Sequence, residues 1–278
     1  MIRLIASDLD GTLLRTDKSL PESFGETFDE LRERGVVFVA ASGRQYANIY
    51  NTLYPRSEDC HIISDNGSVN GHGREITETF MMPPEAVTAV LEGLERIRGA
   101  HPLVCTADCG YYTDDDPDFV RELHRYYVKT KNVAEGASPL TALRVRAEKE
   151  DVIGKCASKI AVYVAGKAEE MIDEMPDVPG LKHVVSGADW IDFARVDVNK
   201  GRALRALRER LGIGREECVA FGDQFNDREM LEECGSAFVT ANASLGMREL
   251  FPAVLSNDEE GVIRKIRELL GLPERSRR

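Results

Sequence analysis

The chain has 278 residues, 42% of them hydrophobic and 30% charged, which is typical of a globular protein with two domains or one large one. Its formal net charge of −12 argues against a nucleic-acid backbone or an anionic membrane surface as the main partner. The sequence contains no apolar run of about 18 residues, the length that a membrane-spanning helix requires.

The N-terminal residues and the cysteines together predict a cytoplasmic location. Residues 2–7 are too short for the apolar segment of a secretory signal, and the charged Asp8 follows directly. The six cysteines are scattered and form no Cys-x-x-Cys pair, which favours a reducing compartment. The sequence leaves open whether the protein is a monomer or a homodimer.

Two carboxylates follow the first predicted strand. Residues 2–7 form a short apolar run, as expected for a strand buried on both faces, and Asp8 and Asp10 come after it. Like charges at this spacing repel, and a Mg²⁺ ion bound through carboxylates and phosphate oxygens would stabilise them. Beside such an ion, Asp8 can attack phosphorus and Asp10 can exchange a proton with the leaving oxygen. The alternative is a capped turn, because Asp and Gly are common turn residues.

The next residues alternate between helix and strand. Apolar residues at i, i+4 and i+7 predict a helix over 24–31, and residues 36–41 form a second buried strand before another helix. This alternation predicts a mostly parallel, Rossmann-like α/β sheet. Ser42, Gly43 and Arg44 follow the second strand, where a hydroxyl and free backbone N–H groups can bind an anion. An ordinary N-cap serine with a turn glycine is the alternative.

A short hairpin is predicted after the third strand. Residues 60–64 lead into Asp65-Asn66-Gly67 and then into a second extended segment. The pair Asn-Gly is a strong signal for a tight turn between antiparallel strands. Asn66 either faces the functional site or serves only the turn.

The middle of the chain is predicted to be an inserted domain. Two consecutive prolines, at positions 83 and 84, break the strand alternation and mark a boundary. Residues 83–187 combine helical and strand patterns and predict an α+β module. The catalytic core is then formed by residues 1–82 and 188–278.

The buried α/β pattern returns after the inserted segment. Asn199-Lys200-Gly201 opens a helix, and a buried strand over 218–221 ends in Gly222-Asp223-Gln224-Phe225-Asn226-Asp227. Because the carboxyl ends of parallel strands form the ligand crevice of an open sheet, Asp8, Lys200 and Asp223 are expected to meet there. Lys200 would supply positive charge to a phosphate oxygen or to the nucleophile. Taken alone, it could equally be a solvated lysine in a first helical turn.

Four motifs in this order resemble those of the haloacid dehalogenase (HAD) superfamily of phosphohydrolases. They are Asp8-Leu9-Asp10-Gly11-Thr12-Leu13-Leu14, Ala41-Ser42-Gly43-Arg44, Lys200 and Gly222-Asp223-Gln224-Phe225-Asn226-Asp227. The insertion between the second and third motifs, with the Asn66-Gly67 turn, is similar to the Cof-like branch, in which the inserted cap selects the substrate. Two positions depart from the usual pattern, since Ser42 replaces a common threonine and Gln224 a common asparagine.

The resemblance implies a role for each matching residue. Asp8 would be the nucleophile and a metal ligand, and Asp10 the general acid/base, with its backbone carbonyl at the metal. Ser42 and Lys200 would hold the transferring phosphoryl group. The further assignments are Asp223 as a Mg²⁺ ligand, Asp227 in support of the metal or the lysine, Asn226 near the phosphate, and Gly43, Arg44 and Asn66 as candidate phosphate or substrate contacts.

The predicted function is Mg²⁺-dependent hydrolysis of a small phosphorylated metabolite through an aspartyl-phosphate. The metabolite would be a sugar phosphate or a phosphorylated cofactor. Two alternatives stay open on the sequence: a sugar phosphomutase of the same fold, and a non-catalytic sensor that binds a metabolite. The intact set of acidic residues with Lys200 favours an enzyme over the sensor.

Overall fold

The computed structural model describes residues 1–107, 109–129, 140 and 143–273. The described chain forms two compact units. The first comprises Met1–Arg44, Leu53–Thr77 and the chain from Asn199 onwards, and the second comprises Gln45–Thr52 and Glu78–Val198.

The strands belong to two sheets and are numbered here in chain order. They are β1 Leu4–Ser7, β2 Val37–Ala41, β3 His61–Ser64, β4 Val69–His72, β5 Glu75–Thr79, β6 His101–Cys105, β7 Cys109–Tyr112, β8 Leu143–Arg146, β9 Lys159–Tyr163, β10 Leu181–Gly187, β11 Trp190–Arg195, β12 Cys218–Gly222, β13 Ser236–Thr240 and β14 Ala253–Val254. One sheet has the order β14-β13-β12-β1-β2-β3-β4-β5, and the other has the order β10-β11-β9-β6-β7-β8.

The helices cover the sheets and connect their strands. They are α1 Phe24–Glu33, α2 Tyr46–Leu53, α3 Pro84–Leu94, α4 Pro117–Lys129, α5 Lys149–Val152, α6 Ala168–Met171, α7 Lys200–Arg210, α8 Arg228–Glu232, α9 Leu245–Leu250 and α10 Gly261–Leu269. Among the helices of the described chain, none combines the length and the apolar character that crossing a bilayer demands.

The eight-stranded sheet confirms the predicted α/β fold. Strand β1 lies between β2 and β12 and pairs with both in parallel, and β3, β13 and β14 continue the parallel arrangement. The hairpin strand β4 runs antiparallel to β3. The side chains of Leu4 and Ile5 are fully buried, as expected for a strand covered on both faces. The carboxyl ends of β1, β2, β3 and β12 therefore lie along one edge.

The second unit is built on the six-stranded sheet. One face of this sheet packs Ile160, Val162 and Phe193 against apolar residues of α3 and α6, such as Val87, Val90 and Ala168. Strands β10 and β11 pair antiparallel, with Val184 opposite Asp192.

The unit ends at Val198 and so contains both strands of this hairpin, which belong to one sheet. The predicted boundary after residue 187 differs from the structure at this point. It falls in the turn of the hairpin and would separate its two strands. The unit also begins earlier than predicted, at Glu78, and includes Gln45–Thr52.

Two histidines face each other across the β3–β4 hairpin of the first unit. His61 and His72 occupy paired positions, and their ring centroids are 4.6 Å apart. Burial, together with the neighbouring charge of His72, lowers the pKa of His61 from 6.5 to about 4. Between these two pH values the unfolded chain binds a proton that the folded chain does not bind. Acidification through this range therefore favours unfolding.

The parental protein should lose unfolding free energy between pH 7 and pH 4.5, and we predict that His61→Gln loses about 1 to 2 kcal/mol less. This magnitude allows for the partial exposure of the ring. Urea denaturation at both pH values measures this change. The parental protein, denatured at the same two pH values, is the reference. An unchanged slope in His61→Gln would show that this ring is not the titrating group.

Candidate active site

The parallel pairing of β1 and β12 brings two carboxylates together. The backbone N–H of Asp8 donates to the carbonyl of Phe221 at 3.0 Å, which extends the ladder one residue beyond β1. Asp223 follows β12 directly and is buried, with 5% of its surface exposed, as Asp8 is. One carboxylate oxygen from each of Asp8, Asp223 and Asp227 lies within 4.8 Å of the others. The expected convergence of these residues is present.

Lys200 joins this acidic cluster through a fully buried ammonium group. Asn199 caps the start of α7, because its Oδ1 accepts from the backbone N–H of Arg202 at 2.7 Å. Lys200 Nζ then donates to Asp8 Oδ1 at 2.7 Å and to Asp227 Oδ1 at 2.6 Å. Burial alone would lower the pKa of Lys200, but the two carboxylates more than offset this and raise it. The lysine is therefore charged and rigidly held.

Asp227 is committed to holding the loop together. Its Oδ1 accepts from Lys200, and its Oδ2 accepts from the backbone N–H groups of Asp223 at 2.9 Å and Gln224 at 3.1 Å. Oδ2 is thus held by two backbone N–H groups, which cannot turn away as a side-chain donor can, and Oδ1 is held by a fully buried ammonium group. This arrangement is more consistent with a residue that supports Lys200 and positions Asp223 than with a residue that gives an oxygen to a ligand.

The cluster holds three carboxylates and one ammonium group, which contacts Asp8 and Asp227, so the carboxylates outnumber the positive charge. Burial raises the pKa of Asp8 well above its ordinary value, although Lys200 opposes the shift. Burial and the nearby Asp227 raise the pKa of Asp223 to about 6. Buried oxygen donors with unbalanced negative charge are the chemical environment that a hard divalent cation favours.

Gly11 permits the close approach of Asp223 to the first turn. Its φ is +79°, and a Cβ at this position would lie 2.4 Å from Asp223 Oδ2. The carbonyl of Gly11 also accepts from Thr240 Oγ1 at 3.1 Å and from Asn242 Nδ2 at 2.7 Å. Only glycine satisfies both the backbone angle and the space.

The side chain of Asp10 lies outside the acidic cluster and has different partners. Arg44 donates from Nε to Asp10 Oδ2 at 2.6 Å and from Nη2 to Oδ1 at 2.7 Å, and Lys18 Nζ donates to Oδ1 at 2.9 Å. Burial alone would raise the pKa of Asp10, but the hydrogen bonds and charges of Arg44 and Lys18 lower it to about 2. Arg44 was predicted to contact the phosphate or the substrate, and in the structure it is hydrogen-bonded to Asp10.

Ser42 and Asn66 lie at the neighbouring strand ends. Ser42 is 2% exposed, and its carbonyl accepts from the backbone N–H of Asn66 at 3.1 Å. A Cβ on Gly43 would lie 3.3 Å from the Asn66 amide nitrogen, which places these two residues side by side. Asn66 Oδ1 also accepts from Asn226 Nδ2 at 3.0 Å. The predicted phosphate contacts of the second motif and of the last motif are thus connected through Asn66.

Three contacts were not assigned from the sequence. Thr12 Oγ1 donates to Asp223 Oδ1 at 3.1 Å, and Gln224 Nε2 donates to Asp223 Oδ2 at 3.2 Å. Both oxygens of Asp223 are therefore oriented by neighbours. The third contact is that of Lys18 with Asp10. Thr12 and Gln224 stand inside recognised motifs, whereas Lys18 lies in a polar loop without a pattern.

Comparison with known proteins agrees with this geometry. A family model described as haloacid dehalogenase-like hydrolase matches residues 5–266. A relative from Shigella boydii named HMP-PP phosphatase is 30% identical over 259 residues, covering 91% of this chain and 93% of that protein. Solved structures of haloacid dehalogenase-like hydrolases from B. subtilis and Bacteroides thetaiotaomicron give TM-scores of 0.80 and 0.79, at 21% and 23% identity. They cover 96% and 97% of this chain and 100% of each solved chain.

The chain therefore belongs to the haloacid dehalogenase-like hydrolases. Within that family it is a phosphatase, in agreement with the relatives named HMP-PP phosphatase. The family predicted from the four motifs is confirmed.

We predict that Gly11→Ala lowers the phosphatase kcat/KM about 100-fold or more, because the added methyl group displaces the Asp223 carboxylate. The matched control is Gly35→Ala, where φ is +69° and the added Cβ would point into open space away from other parts of the chain. Backbone strain at the positive φ should lower the free energy of unfolding of both variants by about 1 kcal/mol, which chemical denaturation measures. Equal activities in the two variants would contradict the role of Gly11.

Proposed function

We propose that this protein is a Mg²⁺-dependent phosphatase that hydrolyses a small phosphorylated metabolite through a phosphorylated Asp8. The observation that carries the proposal is the buried cluster of Asp8, Asp223 and Asp227 around the ammonium group of Lys200. A simple structural ion pair needs one carboxylate for each cation, whereas this site holds a surplus of buried carboxylates. That surplus has a chemical use if a cation and a phosphate are bound there.

The oxygen donors present fit Mg²⁺. Asp8 and Asp223 would hold the ion together with the backbone carbonyl of Asp10, and Asp227 would support them through Lys200 and the loop N–H groups. When bound, the ion would offset the negative charge of the phosphate that Asp8 must approach. Thr12 and Gln224 fix the carboxylate of Asp223 in its orientation for this purpose.

Asp8 would act as the nucleophile. Its carboxylate oxygen forms a bond to phosphorus while the bond from phosphorus to the leaving-group oxygen breaks. Lys200 fixes Asp8 through Oδ1 and supplies positive charge beside the phosphoryl group. Ser42, Gly43 and Asn226 would hold the remaining phosphoryl oxygens.

Asp10 would move the protons of the reaction. In the first half it gives a proton to the leaving-group oxygen, and in the second half it takes one from the water that attacks phosphorus. That attack breaks the bond to Asp8 and releases inorganic phosphate. In the structure both Asp10 oxygens are hydrogen-bonded to Arg44, so Arg44 must release at least one of them before a proton can move. A phosphate that attracts Arg44 would provide this release. It would also remove the stronger of the two influences that lower the pKa of Asp10, so that Oδ2 could take a proton from solvent before the first half-reaction.

The proposed substrate class is supported by the names of the relatives and by the resemblance to capped members of the family. Relatives of this chain are named HMP-PP phosphatase, and a similar fold at 20% identity is described as a sugar phosphatase. We therefore assign small phosphorylated metabolites as substrates. The selection of the leaving group is assigned to the inserted unit, as the resemblance to capped members of the family implies. A cytoplasmic location is part of the same proposal and agrees with the reduced state of the six cysteines.

We predict that Asp8→Asn retains the fold and lowers phosphate release more than about 1,000-fold, because the amide is a poor nucleophile. Phosphate release from a panel of phosphorylated metabolites measures activity, and mass spectrometry of acid-quenched protein detects the phosphoryl adduct on the Asp8 peptide. Asp29→Asn, on α1, removes the same charge and should stay fully active. Retained turnover in Asp8→Asn would contradict the assignment of the nucleophile.

We also predict that chelation abolishes turnover and that added Mg²⁺ restores it. In the chelated protein Mg²⁺ should raise the thermal unfolding midpoint, since an ion that binds only the folded state stabilises it. Asp223→Asn should lose this increase, while Asp192→Asn, in the second unit, should keep it. Unchanged rates in chelator, with no shift of the midpoint, would remove the metal from the proposal.

A further inference from the structure

The segment Arg15–Ser19 forms a tight turn with a strained residue at its tip. The backbone N–H of Lys18 donates to the carbonyl of Arg15 at 2.9 Å, and that of Arg15 donates to the carbonyl of Ser19 at 3.0 Å. Asp17 Oδ1 accepts from the backbone N–H of Ser19 at 2.9 Å and from its hydroxyl at 2.6 Å. Lys18 has a φ of +71°, in the left-handed region that lysine rarely adopts.

The same turn is anchored to the segment that precedes α10. Arg15 Nη2 donates to Glu260 Oε1 at 2.8 Å. The backbone N–H and the hydroxyl of Thr16 donate to the two carboxylate oxygens of Asp258 at 2.9 and 2.8 Å. These contacts join parts of the chain that are more than 240 residues apart, so the turn is fixed from outside as well as from within. Backbone strain persists where the surroundings determine the conformation in this way.

The result of this arrangement is the contact between Lys18 Nζ and Asp10 Oδ1 at 2.9 Å. The simplest explanation is an incidental surface ion pair, since the Lys18 side chain is 48% exposed and such pairs contribute little stability. That explanation accounts for the contact but not for the strain. Glycine or asparagine would form the same turn at a lower cost, and neither would reach Asp10.

We propose that Lys18 is a positioning residue that holds the Asp10 carboxylate for proton transfer. The inference rests on the proposed function, in which Asp10 is the general acid/base. Arg44 contacts both oxygens of Asp10, and Lys18 contacts only Oδ1. When Arg44 turns to the phosphate, Lys18 still holds Oδ1. Oδ2 is then available for proton transfer, and its position is set because Oδ1 of the same carboxyl group is held.

The proposal makes Lys18 important when the leaving group needs a proton. Asp10 gives its proton to the leaving oxygen as the bond from that oxygen to phosphorus breaks. The alkoxide of an alkyl phosphate is a poor leaving group and depends on this proton, whereas p-nitrophenolate is stable without it. Misplacement of Asp10 should therefore slow alkyl phosphates much more than p-nitrophenyl phosphate.

The test is Lys18→Gly, which removes the ammonium group and relieves the strain. We expect kcat/KM for the best alkyl phosphate of a metabolite panel to fall about 10- to 100-fold, and that for p-nitrophenyl phosphate to fall less than about 3-fold. The thermal unfolding midpoint should stay equal or rise, because glycine adopts the positive φ without cost. Lys18→Arg should restore most of the lost activity on the alkyl phosphate. Lys265→Ala, which removes another ion-paired lysine, should leave both substrates unaffected.

Asp10→Asn separates failure of this inference from failure of the proposed function. If Asp10→Asn slows the alkyl phosphate selectively and Lys18→Gly does not, the proposed function stands and the role of Lys18 is wrong. Equal losses on both substrates in Lys18→Gly, or a lower unfolding midpoint with failed rescue by arginine, would also overturn it. If Asp10→Asn remains fully active, the acid/base assignment fails, and the inference about Lys18 fails with it.

Discussion

The site depends on one buried ammonium group between two carboxylates. Taking Lys200 out of water costs several kcal/mol, and the attraction of Asp8 and Asp227 offsets that cost only when both geometries are good. The three residues come from the end of β1, the start of α7 and the loop after β12. One charge interaction therefore fixes the relative positions of three separate chain segments. Removing any partner would leave an uncompensated charge in the interior, which typically destabilises a protein by about 3 to 5 kcal/mol.

The same interaction leaves the site short of positive charge. Asp223 lies in the acidic cluster, but its carboxylate accepts from the neutral side chains of Thr12 and Gln224, and its pKa is raised to about 6. A sequence optimised only for stability would replace such a residue with an apolar one of similar size. Its retention inside a rigid hydrogen-bonded loop is understandable if the missing charge arrives with a ligand. The surrounding β1–β12 core then provides the stability that the cluster lacks.

Much of this arrangement could be predicted from sequence, because parallel strands impose a common edge. Asp8 and Asp223 follow buried strands, and the topology of a parallel sheet brings such strand ends together without knowledge of any side-chain contact. The pairing of Arg44 with Asp10 could not be predicted in this way. It depends on side-chain rotamers of residues 34 positions apart, which no periodicity describes. The domain end after residue 187 was misplaced for a related reason, since a turn within a hairpin and a linker share the same composition.

The first motif places two carboxylates in opposite environments although they are only two residues apart. In an extended strand, positions i and i+2 share one face, so continued strand geometry would put Asp10 beside Asp8. Strand β1 ends at Ser7, and the carbonyl of Leu9 accepts from the backbone N–H groups of Thr12 and Leu14, which turns the chain. The left-handed backbone of Gly11 completes this turn. Asp8 therefore stays among buried carboxylates, while Asp10 reaches two cations. A single turn thus separates the group proposed to attack phosphorus from the group proposed to move protons.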